Sequence, residues 1–234
     1  GWAVDADSAL FEEKLTLEKL LLEGTRSYVS AQGWYDTGTR QFEANLKGDA
    51  DLASDIKPFF AHWPETPPFE ASLHVSGRWP EFKLGVELQG DGLEHFDAMG
   101  QFTFSDGHLG IRQAGVELNG LSPAFTSQWL DTSYTPLSVS AFSFDMQEGK
   151  LPFNGQMDQI EGQMSVSARS IEASGYRVDS LYHHFEKRRN TVKGSLSLLQ
   201  TETLRQGKIE MDLNAHRSDT ALPFRWEMNG SLQN

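Results

Sequence analysis

Histidines are the side chains in this sequence best suited to acid–base or metal chemistry. There are seven of them: His62, His74, His95, His108, His183, His184 and His216. None forms an HExxH pair or an i, i+2 pair on one strand face. His183 and His184 are adjacent, so on a strand they point to opposite faces. We therefore interpret the histidines as solvent-facing or hydrogen-bonded imidazoles and predict no metal site.

Other catalytic chemistry has no matching pattern either. The chain has no cysteine, which excludes thiol nucleophiles, disulfides and zinc–thiolate sites. It also lacks a G-x-S-x-G elbow, a P-loop and a G-x-G-x-x-G loop. Asp49, Asp51 and Asp55 suggest calcium, but they lack EF-hand spacing and a closing Glu, which favours capping and turn roles. Paired carboxylates that meet only in space stay open. We predict a protein that is not an enzyme and needs no cofactor.

Aromatic residues are the other candidate ligand groups. The sequence has 6 tryptophans and 15 phenylalanines, most of them at alternating apolar positions where core packing explains them. Four tryptophans lie at predicted strand ends or in connections: Trp34, Trp63, Trp79 and Trp129. They are candidates either for the rim of a groove or, in a glycan-binding module, for sugar-stacking platforms.

The charge of the chain restricts its partners. The formal net charge of −13 opposes nonspecific binding to nucleic acid, so we expect no nucleic-acid partner. Residues 186–189 (EKRR) form the densest basic cluster. We interpret this cluster as a solvated turn, with a lipid headgroup or partner contact as the alternative. The longest apolar runs stop at three residues, which predicts no membrane-spanning helix.

Alternation of apolar and polar residues predicts the elements that would position any site. It is clearest in residues 69–76 and 82–89, and it returns in residues 164–168, 209–213 and 222–228. Successive side chains of a strand point to opposite faces, so each segment builds a sheet with one apolar and one polar face. Such one-sided sheets are usually antiparallel. The sequence predicts an all-β fold.

Glycines and breaks in the pattern predict the connections. Asp106-Gly107 and Glu148-Gly149 are predicted as hairpin turns, and the apolar phase slips around residues 140–144 as in a β-bulge. A short helix is predicted near 51–60 and a second near 122–130. Residues 10–24 have a composition that favours a helix and an alternation that favours strands.

About 14 strands follow from this pattern, in one repetitive β domain over residues 1–234, with no signal of a domain boundary. Open twisted sheets rarely exceed about 10 strands without curling. We therefore expect an elongated, curled, antiparallel-rich sheet, a trough with an apolar inner face and one or two short helices. A two-layer β-sandwich is the alternative.

Several stretches resemble the repeats of AsmA-like proteins, particularly the TamB type. Their order is residues 15–24 (LTLEKLLLEG), 29–36 (VSAQGWYD), 42–48 (FEANLKG) and 49–60 (DADLASDIKPFF). In that family a strand ending in Gly leads to a G-x-Y-D turn, another strand and a short helix. Residues 69–80 (FEASLHVSGRWP), 82–90 (FKLGVELQG) and 165–181 (SVSARSIEASGYRVDSL) are similar in style. The resemblance covers residues 14–232 and favours a strand over 14–23.

The resemblance implies a function. AsmA-like proteins form elongated U-shaped sheets with an apolar groove, and they bridge the inner and outer membranes of Gram-negative bacteria. It implies phospholipid as the cargo, the periplasm as the location and a parent protein anchored in the inner membrane, of which this chain is an interior or C-terminal segment. For the TamB type it also implies a role in outer-membrane protein assembly, with an outer-membrane barrel protein or a lipoprotein as partner.

A sheet with one apolar face must cover that face, either with a second layer or with a ligand. The predicted acyl-chain groove is Leu73, Val75, Phe82, Leu84, Val86, Leu88, Phe102, Phe104, Val166, Leu196, Leu198, Ile209, Met211 and Leu213. The alternatives are a closed core formed by the same residues, a non-catalytic sandwich module that binds glycan or protein, and a scaffold for outer-membrane protein assembly.

Overall fold

The alternating segments form strands throughout the computed structural model. The structure describes residues 3–11, 13–24, 26–50, 69–105, 107–123, 125, 137–153, 161–173, 176–188, 191–202, 205–216 and 225–233. Every element with defined bounds among these residues is a β-strand, and only Pro123 and Phe125 have helical backbone, so the predicted all-β class is confirmed. The strand predicted at 14–23 is confirmed as well: β2 spans Lys14–Glu23, despite its helix-favouring composition. Alternation therefore outweighs local helix propensity in this segment.

The strands are long and follow one another along the chain. They are β1 (Ala3–Phe11), β2 (Lys14–Glu23), β3 (Ser27–Asp36), β4 (Gln41–Ala50), β5 (Phe69–Arg78), β6 (Glu81–Gly90), β7 (Leu93–Ser105), β8 (His108–Leu121), β9 (Leu137–Pro152), β10 (Glu161–Ala173), β11 (Tyr176–Arg188), β12 (Thr191–Glu202), β13 (Arg205–His216) and β14 (Arg225–Gln233).

The topology is an uninterrupted antiparallel meander. All 14 strands belong to one sheet, and their order in the sheet is their order in the chain. Each strand packs mainly against the strand that precedes it and the strand that follows it in the chain. No second sheet exists among the described strands, so the single-sheet prediction is confirmed and the β-sandwich alternative is wrong. A curled trough is consistent with this ladder.

The hairpin turns show which glycine prediction was correct. Gly107, with φ of +78°, lies between β7 and β8, so the predicted turn is confirmed at Gly107, while Asp106 lies outside the described residues. The turn predicted at Glu148-Gly149 is wrong, because both residues lie inside β9. Glu148 has φ of +50°, and β9 continues through it to Pro152. A single residue with positive φ is therefore accommodated inside a strand without ending it.

The apolar phase slip in β9 also has a different structural basis from the predicted bulge. Val139 pairs with Ile171 and Phe142 pairs with Ala168 in one unbroken register, so β9 contains no register shift there. The apolar phase of the neighbouring strand β10 changes at the same level, from Ala168 to Ile171, and Ser170 between them has φ of +47°. Because both partners change phase together, apolar residues stay opposite apolar residues and the pairing needs no inserted residue.

The predicted helices cannot be compared with described elements. The helix near 51–60 lies outside the described residues, and so does most of the segment 122–130. At the start of the latter, Ser122 Oγ accepts a hydrogen bond from the Phe125 amide at 3.3 Å, the contact expected of a capping serine. The Ser122 amide donates to the Gly92 carbonyl at 2.8 Å, which holds this segment against the start of β7.

Candidate functional site: the apolar face of the sheet

The strand register collects the apolar side chains on one face, called here the apolar face. On β5 and β6, Leu73 pairs with Val86 and Val75 pairs with Leu84. Partners in an antiparallel pair lie on the same face of the sheet. Apolar residues also pair with apolar residues further along the sheet: Val116 lies opposite Phe144 on β8 and β9, and Leu196 lies opposite Met211 on β12 and β13. A single apolar surface therefore runs across the ladder.

All of the residues predicted from sequence as groove residues lie on this face. Each is half-buried, neither fully enclosed nor freely exposed. They are Leu73 and Val75 on β5; Phe82, Leu84, Val86 and Leu88 on β6; Phe102 and Phe104 on β7; Val166 on β10; Leu196 and Leu198 on β12; and Ile209, Met211 and Leu213 on β13. Half-burial fits a face that strand neighbours cover from the sides and that no second layer of described strands covers from above.

The described residues form very little enclosed core. Seven apolar residues are buried, namely Leu93, Ile111, Val139, Met146, Ala168, Val192 and Ala215, and no large side chain of the described part is fully buried. The accessible surface is 15427 Å² for a 26.2 kDa chain. A compact monomer of that mass exposes roughly 10,600 Å². An excess of this size is expected when a wide sheet lacks a second layer.

An aromatic cluster occupies one end of the apolar face, where β6 begins and β7 ends. The Phe82 ring stacks on Phe102 and on Phe104, with both centroid distances 5.2 Å. Phe104 also contacts Trp79 at 5.0 Å and Phe153 at 5.8 Å. Trp79 is 49% exposed and Phe153 is 58% exposed, so the aromatic surface extends from the face to solvent.

The opposite face is polar and joined by side-chain hydrogen bonds across strands. His74 Nδ1 lies 2.7 Å from Asn45 Oδ1, and the Ser143 and Ser167 hydroxyls are 2.7 Å apart. The Gln89 amide donates to Glu70 at 2.9 Å. Pairs of this kind satisfy polar groups and stabilise strand register. This polar face therefore presents a hydrated surface.

The two candidate tryptophans that the structure describes, Trp34 and Trp79, do not share one surface. Trp34 pairs with Glu43 on the polar face, and Lys14 Nζ lies 4.5 Å from its ring centroid. Trp79 lies at the aromatic end of the apolar face, and Trp63 and Trp129 fall outside the described residues. The two described tryptophans among the four candidates thus lie on different parts of the molecule.

Sequence reasoning missed two groups on the apolar face. The first is its apolar continuation on the remaining strands, including Leu17, Leu22, Val29, Phe42 and Phe144, which the same alternation could have identified. The second is a pair of basic residues on β11. His183 pairs with Val166, and Lys187 pairs with Gly162 and Val192, so both lie among apolar positions.

The basic cluster at 186–189 is thereby partly reassigned. Glu186, Lys187 and Arg188 lie inside β11, and Lys187 is only 8% exposed, so the prediction of a solvated turn is wrong for it. Alternation places Lys187 on the apolar face and its two neighbours on the other side. Arg188 contacts Glu186 at 2.9 Å and Glu148 at 3.6 Å. The opposite directions predicted for His183 and His184 are confirmed.

Two pKa shifts arise from local contacts on exposed hairpins. The backbone amide of Thr39 donates to Asp36 Oδ1 at 2.7 Å, and this hydrogen bond, together with one from the Thr39 side chain, holds the pKa of the Asp36 carboxyl below its ordinary value. The hydrogen bond to Asp5 at 2.9 Å raises the pKa of Lys19. Both groups support neighbouring strands, and neither lies on the apolar face.

The described residues give no sign of a metal centre. They contain no group of three or more histidine, aspartate or glutamate side chains placed to hold an ion. Asp49, one of the aspartates considered for calcium, lines an open hollow of about 380 Å³ with Glu70, Asp91 and Glu94. Asp51 and Asp55 lie outside the described part.

Comparison with known proteins gives no relative for this chain: no family model, no curated protein and no solved structure matches it. Among the described residues, no helix has the length and apolar character needed to cross a bilayer.

Proposed function

We propose that this chain carries phospholipid acyl chains on the apolar face of its sheet, as a periplasmic segment of an AsmA-like protein of the TamB type. In this role it bridges the inner and outer membranes and supports outer-membrane biogenesis, without catalysis. The observation that carries the proposal is the single 14-stranded sheet whose apolar residues remain half-buried, with no second layer among the described strands.

The dimensions of the sheet suit this cargo. Fourteen strands at about 4.8 Å per strand make a ladder on the order of 65 Å. One leaflet of a bilayer contributes about 15 Å of hydrocarbon, so several acyl chains fit along the face in file. Burial of apolar surface yields about 25 cal/mol per Å² and has no directional preference. Such binding holds a lipid tail and still lets it slide from strand to strand.

A pair of variants on β6 tests the proposal. Val86→Glu places a carboxylate on the apolar face, whereas Gly85→Glu places the same charge on the polar face one residue away. A side chain at Gly85 has open space, because a Cβ there meets nothing within 4 Å. Phospholipid extracted from the purified proteins is then quantified by mass spectrometry. We expect bound lipid in the wild type and in Gly85→Glu, and a loss of at least severalfold in Val86→Glu.

Contact between lipid and face is tested directly by photo-crosslinking. A benzophenone amino acid at Phe82 is expected to crosslink to radiolabelled phospholipid in cells, and the same group at Lys83 is not. Absence of lipid from the wild-type protein, or equal crosslinking from both positions, contradicts the proposal. Crosslinks from Phe82 to protein alone indicate that a second polypeptide layer covers the face.

A scaffold for outer-membrane protein assembly is a second candidate. The observation that favours it is the open order of the sheet, in which β1 and β14 each pair on one side only. An unpaired edge accepts an incoming strand through its backbone groups. A proline in β14 at a position whose N–H points away from β13 removes one amide donor from the open edge, and it should impair assembly of outer-membrane proteins while lipid binding stays normal. The opposite pattern, with lipid binding lost and assembly normal, excludes this role for the edge.

A further inference from the structure

Strands β5–β8 have opposite charge at their two ends. One is the aromatic end, where β5 meets β6 and β7 meets β8; the other, called here the acidic end, is where β6 meets β7 and β8 ends. Among the described residues of 69–121, the lysine and arginine positions lie in the half nearer the aromatic end, at Arg78, Lys83 and Arg112. Carboxylates lie in the half nearer the acidic end, with Glu81 as the exception. They are Glu70, Glu87, Asp91, Glu94, Asp97 and Glu117.

The acidic end combines carboxylates with an enclosed part of the apolar face. Glu70, Asp91 and Glu94 line the same open hollow. Leu93 beside them is 3% exposed, and the carbonyl of the adjacent Gly92 accepts a hydrogen bond from the Ser122 amide at 2.8 Å. Adjacent strands lie about 4.8 Å apart, so an anion at this end is within about 10 Å of several carboxylates, close to the Debye length. A phosphate is therefore repelled from the acidic end.

The aromatic end offers the surroundings that a lipid has between its hydrocarbon and its headgroup. Two backbone hydrogen bonds tie its turns together: the Phe104 amide donates to the Pro80 carbonyl at 3.0 Å, and the Phe153 amide donates to the Gly107 carbonyl at 2.9 Å. They hold the exposed Trp79 and Phe153 rings beside Phe104. An indole combines an apolar body with a polar N–H, and it favours the boundary between hydrocarbon and headgroups.

The cations near the aromatic end attract an anion mainly through their field. Arg78 occupies the last position of β5, and its Nε donates to the Thr39 carbonyl at 3.1 Å. Arg78, Lys83 and Arg112 are all exposed to solvent. Charges at exposed positions act over about one Debye length, which covers the end of each strand. Their attraction therefore orients a phosphate without fixing it at one residue.

We infer that a glycerophospholipid on β5–β8 lies along the strands in one orientation, with its phosphate at the aromatic end and its tails directed toward the acidic end. This inference rests on the proposed function and adds a direction to it. β6 has 10 residues and is therefore about 30 Å long. Half of a bilayer, headgroups included, is about 20–23 Å thick, so one lipid fits on the strand and its phosphate reaches only one end.

Crosslinking from the two ends of β6 tests this orientation on the full chain. A benzophenone amino acid replaces Phe82 at the aromatic end or Leu88 toward the acidic end; both positions lie on the apolar face, about 20 Å apart. The probe is phosphatidylglycerol with radioactive phosphorus in the phosphate and tritium in the acyl chains. Ester hydrolysis after crosslinking separates the tails from the glycerophosphate. We expect the ratio of phosphorus to tritium retained on the protein to be severalfold higher at Phe82 than at Leu88.

A pair of charge variants tests the cause of the orientation. Arg78→Gln with Lys83→Gln removes two cations near the aromatic end. The matched control, Arg169→Gln with Lys193→Gln, removes two exposed cations from β10 and β12. We expect the first pair to reduce the difference between the two crosslinking positions severalfold and the control to leave it unchanged. Equal effects of both pairs assign the orientation to net charge alone and overturn the inference.

A conservative pair separates charge from folding. Arg78→Lys with Lys83→Arg keeps both charges, so it should retain the wild-type orientation even where the glutamine pair lowers the melting temperature; a loss of orientation in the conservative pair overturns the role of charge. Phosphorus retained mainly from Leu88, or equal ratios at both positions in the wild type, overturns the inference while lipid binding by the face stands. An absence of lipid crosslinks from both positions refutes the proposed function itself.

Discussion

Leucine truncation distinguishes an uncovered apolar face from a sealed core. The two positions to compare are Leu84, half-buried in the middle of β6, and Leu93, which is 3% exposed at the start of β7. Leu93 lies beside the segment that begins at Ser122, since a Cβ on the adjacent Gly92 would be 3.2 Å from Phe125 Cβ. The same substitution to alanine therefore samples an enclosed site and an open one.

The expected magnitudes differ because only one site can hold a cavity. Leu→Ala at enclosed sites costs about 2.7–5.0 kcal/mol, the sum of lost transfer energy and an unfilled cavity. At Leu84 the removed atoms are only partly shielded, and a fully buried methylene is worth about 0.8 kcal/mol. No second layer of described strands covers the space above this side chain. We expect a cost of about 1–1.5 kcal/mol there. The predicted difference between the two variants is about 2 kcal/mol.

Urea unfolding followed by tryptophan fluorescence measures both variants against the wild type, in delipidated protein. The midpoint should fall much more for Leu93→Ala than for Leu84→Ala. Equal midpoints for the two variants, or a larger loss for Leu84→Ala, would refute the reasoning, because they require a layer over the middle of the face. Adding phospholipid should then stabilise the wild type more than Leu84→Ala, since in the proposed function bound tails cover this position.

Three further predictions concern the sheet itself. Gly100→Ala should destabilise the protein by about 1–3 kcal/mol, because the new Cβ meets the Phe102 ring at its Cζ. Gly85→Ala, the control, should be neutral or stabilising by up to about 1 kcal/mol. Thermal melts compare the two variants, and equal effects would contradict the packing of the Phe102 ring over Gly100. Asp36→Asn should lower stability at neutral pH, and the difference from the wild type should shrink as pH falls. The pKa of Asp36 is lowered in the folded state, so the contribution of this carboxylate to the free energy of unfolding is complete above the unfolded pKa of about 3.9 and is lost as pH falls through the folded pKa. Urea titrations at several pH values measure the difference in stability between the variant and the wild type, and a difference that does not change with pH would exclude this origin. Lys19→Gln should have little effect in 1 M salt, because its ion pair with Asp5 is exposed; a clear loss in midpoint at that salt concentration would contradict this.

Local patterns were sufficient to predict the strands, and also the face on which each predicted groove residue lies. Alternation alone places Leu84 and Val86 together, because it depends only on the two-residue repeat of a strand. The turn at Gly107 was predictable for the same reason, since a glycine between two alternating runs favours positive φ. The two-residue motif at Glu148-Gly149 is similar, yet the strand continues there, because pairing with β8 and β10 holds it on both sides.

Features that depend on pairing could not be predicted from local patterns. The choice between one sheet and two layers depends on which strands meet, and strand alternation is identical in both cases. The environment of Lys187 is a second example. Its charged neighbours Glu186 and Arg188 suggest a solvated turn, and only the register with Gly162 and Val192 shows that it lies on the apolar face. The shared phase slip of β9 and β10 likewise requires knowledge of both strands.

The strictly sequential strand order has a consequence for how this protein reaches its native state. Because every ladder joins segments adjacent in the chain, contact order is low for an all-β protein, and the entropy of closing long loops is largely avoided. Folding can start at any hairpin and spread outward, as in repeat arrays. A chain that emerges gradually, N-terminus first, during synthesis can therefore add one strand at a time to a growing template, with no need to wait for its last residue.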